Sequence, residues 1–381
     1  MKINNSAMKW NVLISILFFV FANAGKNAAQ TFKPGENWPD NKGVHINAHG
    51  GGVLFHNGTY YWFGEHKIEG KKGNQAWVGV HCYSSQNLTD WKDEGIALPV
   101  SKDTESPIVE GCVIERPKVI YNAVTRKFVM WFHLELKGQG YKAAKTGVAV
   151  ADNVTGPYTF LKAVNPNAGK WPVNYPEALK TKSFPADLKS WSEEWIQAVK
   201  DGLILQRDIE KGQMARDMTL YVDDDGKAYH IHASEENLTL HIAELSVDYL
   251  DFSGKYIRVL PAGHNEAPSI FKHNGKYFMI TSGCTGWAPN AARLLTSGSV
   301  MGEWEYVKNP CTGEGAGLTF QSQSTFILPV QGKKDAFIFM GDRWNPDNAI
   351  DGRYVWLPVQ FDEAGLPYLK WLDEWDLGFF Q

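Results

Sequence analysis

The chain has 381 residues and a formal net charge of −4. That balance leaves no basic surplus for a phosphate backbone, so nucleic acid is not an expected partner. Its 13% aromatic content, with 15 Trp, 15 Tyr and 36 Gly, suits β-sheet cores and also flat faces laid against sugar rings.

Residues 1–24 read as an export signal. Lys2 and Lys9 form a basic leader, VLISILFFVF is an apolar run short for a bilayer span, and Ala22-Asn23-Ala24 supplies a small-residue cleavage pattern. No cysteine follows that run, which argues against a lipid anchor, and no later stretch is long and apolar enough to span. The expectation is an exported protein, periplasmic or secreted, monomeric and off the membrane after cleavage, with residues 25–381 as one domain.

From there the chain reads as β-rich, with short alternating runs separated by Asn-Gly and Asp-Gly turns. One pattern recurs five times: INAHGGGVLFHNGTYYWFGE, VIERPKVIYNAVTRKFVMWFH, ARDMTLYVDDDGKAYHIHAS, GHNEAPSIFKHNGKYFMITSG and FQSQSTFILPVQGKKDAFIFMGD. Aligned on the first strand of each (Val53, Val119, Tyr221, Ile270, Ile327), a polar residue stands four positions earlier: His49, Glu115, Asp217, Glu266 and Gln323. The steps between them are 66, 102, 49 and 57 residues. Five such units predict an all-β fold, a five-bladed β-propeller whose inner strands aim these residues at one mouth of a central channel.

The long second step holds a Pro-, Trp- and Lys-rich insertion at about residues 162–212, between blades 2 and 3. Trp191, Trp195 and Val199 at i, i+4, i+8 predict a helix there, either overhanging the mouth or decorating a blade edge. Asp223-Asp224-Asp225-Gly226 lacks the later ligands of a calcium loop and reads as a hairpin turn. Cys82, Cys112, Cys284 and Cys311 have no zinc-site spacing, and export permits one or two disulfides of undetermined pairing. No cofactor is expected, and His49 and His232 without a third ligand make no metal site, though a calcium ion in the channel stays an open alternative.

A concave, aromatic-lined mouth carrying carboxylates is a natural place to cleave a glycosidic bond. IERPKVIYN, RDMTLYVDDDGKAY, NEAPSIFKHNGKYF, TSGCTGWAPN, SQSTF and GDRWNP together resemble glycoside hydrolase family 43 over residues 45–377, most of all its exo-β-1,3-galactanase branch. The resemblance implies an inverting exo-enzyme acting on a plant-type polysaccharide. It implies Glu266 as general acid and Glu115 as the residue that tunes it. The first-blade position where the family usually holds an Asp base is His49, and the resembled branch places Gln323 beside the attacking water. Gln323 acting as an imidic acid, Glu65, or Glu115 through a water remain rivals for activating that water. Substrate-binding candidates are Glu65, Asp217, His49, Trp287, Tyr141 and Arg343, with a strand cap for Asp217, core packing for Trp287 and an ion pair with Asp342 for Arg343 as the plainer alternatives. An α-L-arabinofuranosidase, a β-xylosidase or a non-catalytic sugar-binding propeller are the competing functions.

Overall fold

The computed structural model describes residues 31–380 and Met1. Apart from Met1, the expected export signal lies outside these residues. Among them, no helix is long and apolar enough to cross a membrane.

The described residues form six sheets. Four are four-stranded antiparallel meanders that begin with His49–His56, Val113–Asn122, Met218–Val222 and Glu266–His273, and a three-stranded one begins with Gln323–Pro329. These five opening strands touch one another in a closed circuit, the first against the last. The sixth sheet joins Cys311–Thr312, Pro367–Lys370 and Gln360–Phe361, with one parallel pairing. The expectation of a five-bladed propeller is thereby corrected to a propeller of six sheets. The sixth escaped the repeat because its strands are two to four residues long, too short to show alternation, and because it sends no strand to the axis.

Local chemistry accounts for the hairpins. Asn57-Gly58 and Asn274-Gly275 both have two positive φ values, 48° and 81°, and 48° and 77°, the geometry that lets a two-residue turn follow the twist of its strands. The aromatic excess is largely core: Trp38, Trp62, Trp91, Trp356 and Trp375 pack with Phe32 between the first and fifth sheets. A backbone bridge from Phe32 to Trp375 ties the two ends of the described chain across that seam.

The insertion is helical at Glu193–Lys200 and Ile204–Asp208, and Ser192 caps the first helix by accepting from the Trp195 amide. Trp195 and Val199 are buried as the spacing predicts, whereas Trp191 lies outside the helix and is exposed. The segment lies along the outer strand of the third sheet: Val173 N–H bonds to the Tyr256 carbonyl, and the Arg258 guanidinium donates to the Val199 carbonyl. It decorates a blade edge. Asp223–Gly226 forms the expected turn, pinned by Lys272 and Tyr277. All four cysteines are unpaired.

Candidate active site

At one mouth of the ring lies a cavity of about 230 Å³ walled by residues of all five ring-forming sheets. Four of the five aligned polar positions reach it: Glu115, Asp217, Glu266 and Gln323. His49 does not. It is fully buried, stacked on Tyr354, and 3.8 Å from Asp342. Its cross-strand partner Glu65 lines the cavity instead.

Backbone irregularity aims these side chains. The register slips at a bulge between His49 and Gly52, between Glu115 and Lys118, between Glu266 and Ser269, and between Ser324 and Phe326. In the first three, the residue after the polar position is left-handed: Gly50 at 59°, Arg116 at 57° and Ala267 at 52°. A bulge re-aims a side chain and strengthens the twist, and a non-glycine residue held at positive φ stores strain that surrounding contacts must offset. Gly50 is required on a second ground, since a Cβ there would come within 2.2 Å of Glu65 Oε1.

Glu115 is held as an anion. Its Oε1 accepts from Tyr141 at 2.5 Å and Asn74 at 3.0 Å, and its Oε2 from His133 at 2.9 Å. Burial alone would raise its pKa, but the His133 bond and charge overcome that and hold it well below the usual carboxylate range. His133 is drawn down by burial and up by Glu115 and Glu135 on its two nitrogens, ending at about 9. Glu115, His133 and Asp217 come close enough to hold a cation among the described residues. Both His133 nitrogens are already directed at carboxylates, so the imidazolium is itself the cation.

Glu266 is the opposite case. Burial first, then the nearby Asp217 carboxylate, push it up to about 8, so it keeps its proton at neutral pH. The negative neighbour that raises it most is thus Asp217, on the third sheet. Glu266 Oε1 accepts from Gln323 Nε2 at 3.0 Å. That amide is fully committed: Nε2 also donates to Ser282 Oγ at 2.9 Å, while Oε1 accepts from Arg116 at 2.6 Å and Trp344 Nε1 at 2.9 Å. Two donors and two lone pairs are all that a Gln side chain has. Arg116, buried beneath, also pairs with Asp217 at 2.9 Å and lies 5.2 Å from the Trp344 ring.

Of the other candidates, Tyr141, Trp287 and Asp217 stand on the cavity wall. Arg343 does not: it binds the Phe320 carbonyl at 3.0 and 3.1 Å and faces an adjoining cavity that shares Trp287, Gln323 and Trp344. The sequence reading did not single out Asn74, Arg116, His133, Arg216 or Asn237. Arg116 was in plain view beside Glu115; nothing in the local pattern marks the others. The wall as a whole offers four carboxyls, among them the protonated Glu266 and the ionised Glu115, with amide and hydroxyl donors for sugar hydroxyls and two indole rings.

The sequence pattern of the glycosyl hydrolases family 43 matches residues 180–367. A solved family 43 β-1,3-galactosidase, bound to galactodeoxynojirimycin, is 54% identical, covers 91% of this chain and 100% of its own, and superposes with a TM-score of 0.89. An exo-β-1,3-galactanase from Phanerochaete chrysosporium, carrying β-1,3-galactotriose, is 30% identical over 91% of this chain and 68% of its own, with a TM-score of 0.73. A β-D-galactofuranosidase from Aspergillus niger is 27% identical over 158 residues, 40% of this chain, and the match spans only 45% of that relative's length. Identity above one half along the full length of a family 43 enzyme, on the same fold, means that this chain belongs to glycosyl hydrolase family 43 and is a glycoside hydrolase.

Proposed function

We propose that the protein is an exported, exo-acting β-1,3-galactosidase that releases galactose from the β-1,3-galactan of arabinogalactan-type polysaccharides with inversion. The observation that carries this is the split ionisation of two carboxyls on one small cavity: Glu266 pushed up to about 8 and Glu115 held ionised. In glycoside hydrolysis a proton-donating carboxyl and a carboxylate that stays ionised are set apart this way, by environments that drive two pKa values apart. The choice of sugar and linkage is supported by the two galactan-degrading enzymes to which the chain is similar. A cavity of about 230 Å³ suits a single terminal ring better than a threaded chain; sites for larger ligands run to about 300–1,000 Å³.

In this reading Glu266 gives its proton to the glycosidic oxygen as the C1–O bond breaks. Glu115 stays ionised and faces the positive charge growing on the sugar ring. Water attacks C1 from the opposite face and must lose a proton. Gln323 adjoins the acid, but a neutral amide is no ordinary Brønsted base, and to hold a water it must first release Arg116 or Trp344. Its role is to fix the water and the Glu266 carboxyl relative to each other. Glu65, buried and raised in pKa by that burial, is a further carboxyl on the wall that could take the proton, Asp217 being already paired with Arg116.

The test is product analysis on β-1,3-galactan beside aryl β-galactoside, α-L-arabinofuranoside and β-xyloside. Galactose as the sole early product from galactan supports the proposal. Preferential cleavage of the arabinofuranoside or xyloside, or binding of galactan without cleavage, overturns it.

A further inference from the structure

We infer that Glu135, which no step of the proposed reaction uses, is a positioning residue that fixes the Glu115 carboxylate from two sides. The inference rests on the reading of Glu115 as part of the catalytic apparatus. Glu135 ends the strand Lys127–Glu135 and is fully buried. Its Oε1 accepts from His133 Nε2 at 3.0 Å, and its Oε2 from the backbone amides of Ala143 and Ala144 at 2.8 and 2.9 Å. The first contact continues through the imidazole to Glu115 Oε2. The second closes the loop 136–144 on itself, and that loop presents the Tyr141 hydroxyl to Glu115 Oε1 at 2.5 Å. Arg216 braces the arrangement, donating to the Tyr141 carbonyl at 2.6 Å while standing 3.8 Å from Glu135 Oε1.

Counting protons shows what Glu135 does electrically. Both His133 nitrogens face carboxylate oxygens, which only accept, so the ring carries both protons. Arg116 and Lys67, both positive, and Glu65 and Asp217, both acidic, also act on Glu115, while the Glu135 charge itself stands farther off, on the other side of the imidazole. The proton on His133 therefore decides the balance beside Glu115, and Glu135 is what keeps it there.

Glu135→Gln preserves shape and removes this hold. An amide N–H turned toward Nε2 asks the ring to accept, so His133 becomes neutral and Glu115 loses its cation. The Glu115 carboxyl should then titrate about one unit or more higher, each unit being about a tenfold change in its proton affinity; carboxyl carbon-13 NMR reads this directly, whereas the acid limb of kcat/KM is set first by the raised Glu65. A purely structural role would lower activity without displacing that titration.

The experiment is nitrogen-15 NMR of the histidine rings, with His133→Gln identifying the resonance, together with carboxyl carbon-13 titrations of the wild type and Glu135→Gln, with Glu115→Gln identifying the Glu115 resonance and assayed for activity beside them. His133 is expected to be doubly protonated at neutral pH in the wild type, titrating near 9, and neutral in Glu135→Gln, with the Glu115 titration displaced upward. A neutral His133 in the wild type overturns the inference, whether or not the variant folds. So does an unmoved Glu115 titration in a folded Glu135→Gln. An inactive Glu115→Gln beside an unchanged Glu135→Gln sinks the positioning role alone; a fully active Glu115→Gln sinks the reading of Glu115 itself.

Discussion

Replacing Glu266 with Gln should make the protein more stable and nearly inactive at once. Burial and the Asp217 charge move this carboxyl from 4.5 to about 8, so the folded state resists its ionisation. Below about pH 4.5 the group is protonated whether the chain is folded or not, and there is no penalty. Between about 4.5 and 8 the unfolded chain ionises while the folded one does not, and stability falls by up to about 1.4 kcal/mol per pH unit. The penalty reaches roughly 3 kcal/mol at pH 7 and roughly 4–5 kcal/mol above pH 8. A Gln at 266 carries no charge at any pH, and its oxygen can still accept from Gln323. Denaturation should therefore show the variant more stable than the wild type at pH 7, with the gap widening toward pH 8 and closing below about pH 5. Turnover on β-1,3-galactan should fall by about 10²–10⁴. A stability gap that does not change with pH refutes the raised carboxyl, and near-normal turnover refutes its role as the acid.

The alkaline limb of kcat/KM should fall near pH 8, where Glu266 loses its proton in the free enzyme; a profile flat to pH 10 (about two units beyond) contradicts that. Gln323→Ala should lose most of kcat with KM comparatively unchanged, and added azide should restore part of the rate as α-galactosyl azide, the product of inverting attack on a β-linkage. If Gln323→Ala is nearly silent while Glu65→Gln is crippled, the proton acceptor is Glu65. Arg116→Leu should cost about 3–5 kcal/mol in denaturant titration, because it strands Asp217 and the Gln323 oxygen without their shared partner; a cost under about 1 kcal/mol would mean that water replaces the guanidinium.

How far the sequence reaches is clearest in the second sheet. Counting across its hairpin from the Asn122–Lys127 pair places Leu134 opposite Glu115, an uninformative neighbour. The bulge between Glu115 and Lys118 shifts the register by one and brings His133 there instead. The same one-residue slip sets Glu65 opposite His49 and Ser282 opposite Glu266. Alternation and turn residues expose the strands and the five aligned polar positions because both depend on local periodicity. A bulge leaves no mark on that periodicity, so the side chains it brings together stay hidden, as does the way His49 yields its place to Glu65. The sixth sheet was hidden for a different reason, the shortness of its strands, which pair through tertiary contact alone.

The proposed reaction is tested most directly by proton NMR of β-1,3-galactotriose during the first minutes of digestion. Free galactose should appear as the α anomer before mutarotation, together with β-1,3-galactobiose from removal of one terminal residue. Initial release of β-galactose contradicts the inverting use of Glu266, Glu115 and an attacking water, and a trisaccharide left intact contradicts the assigned activity.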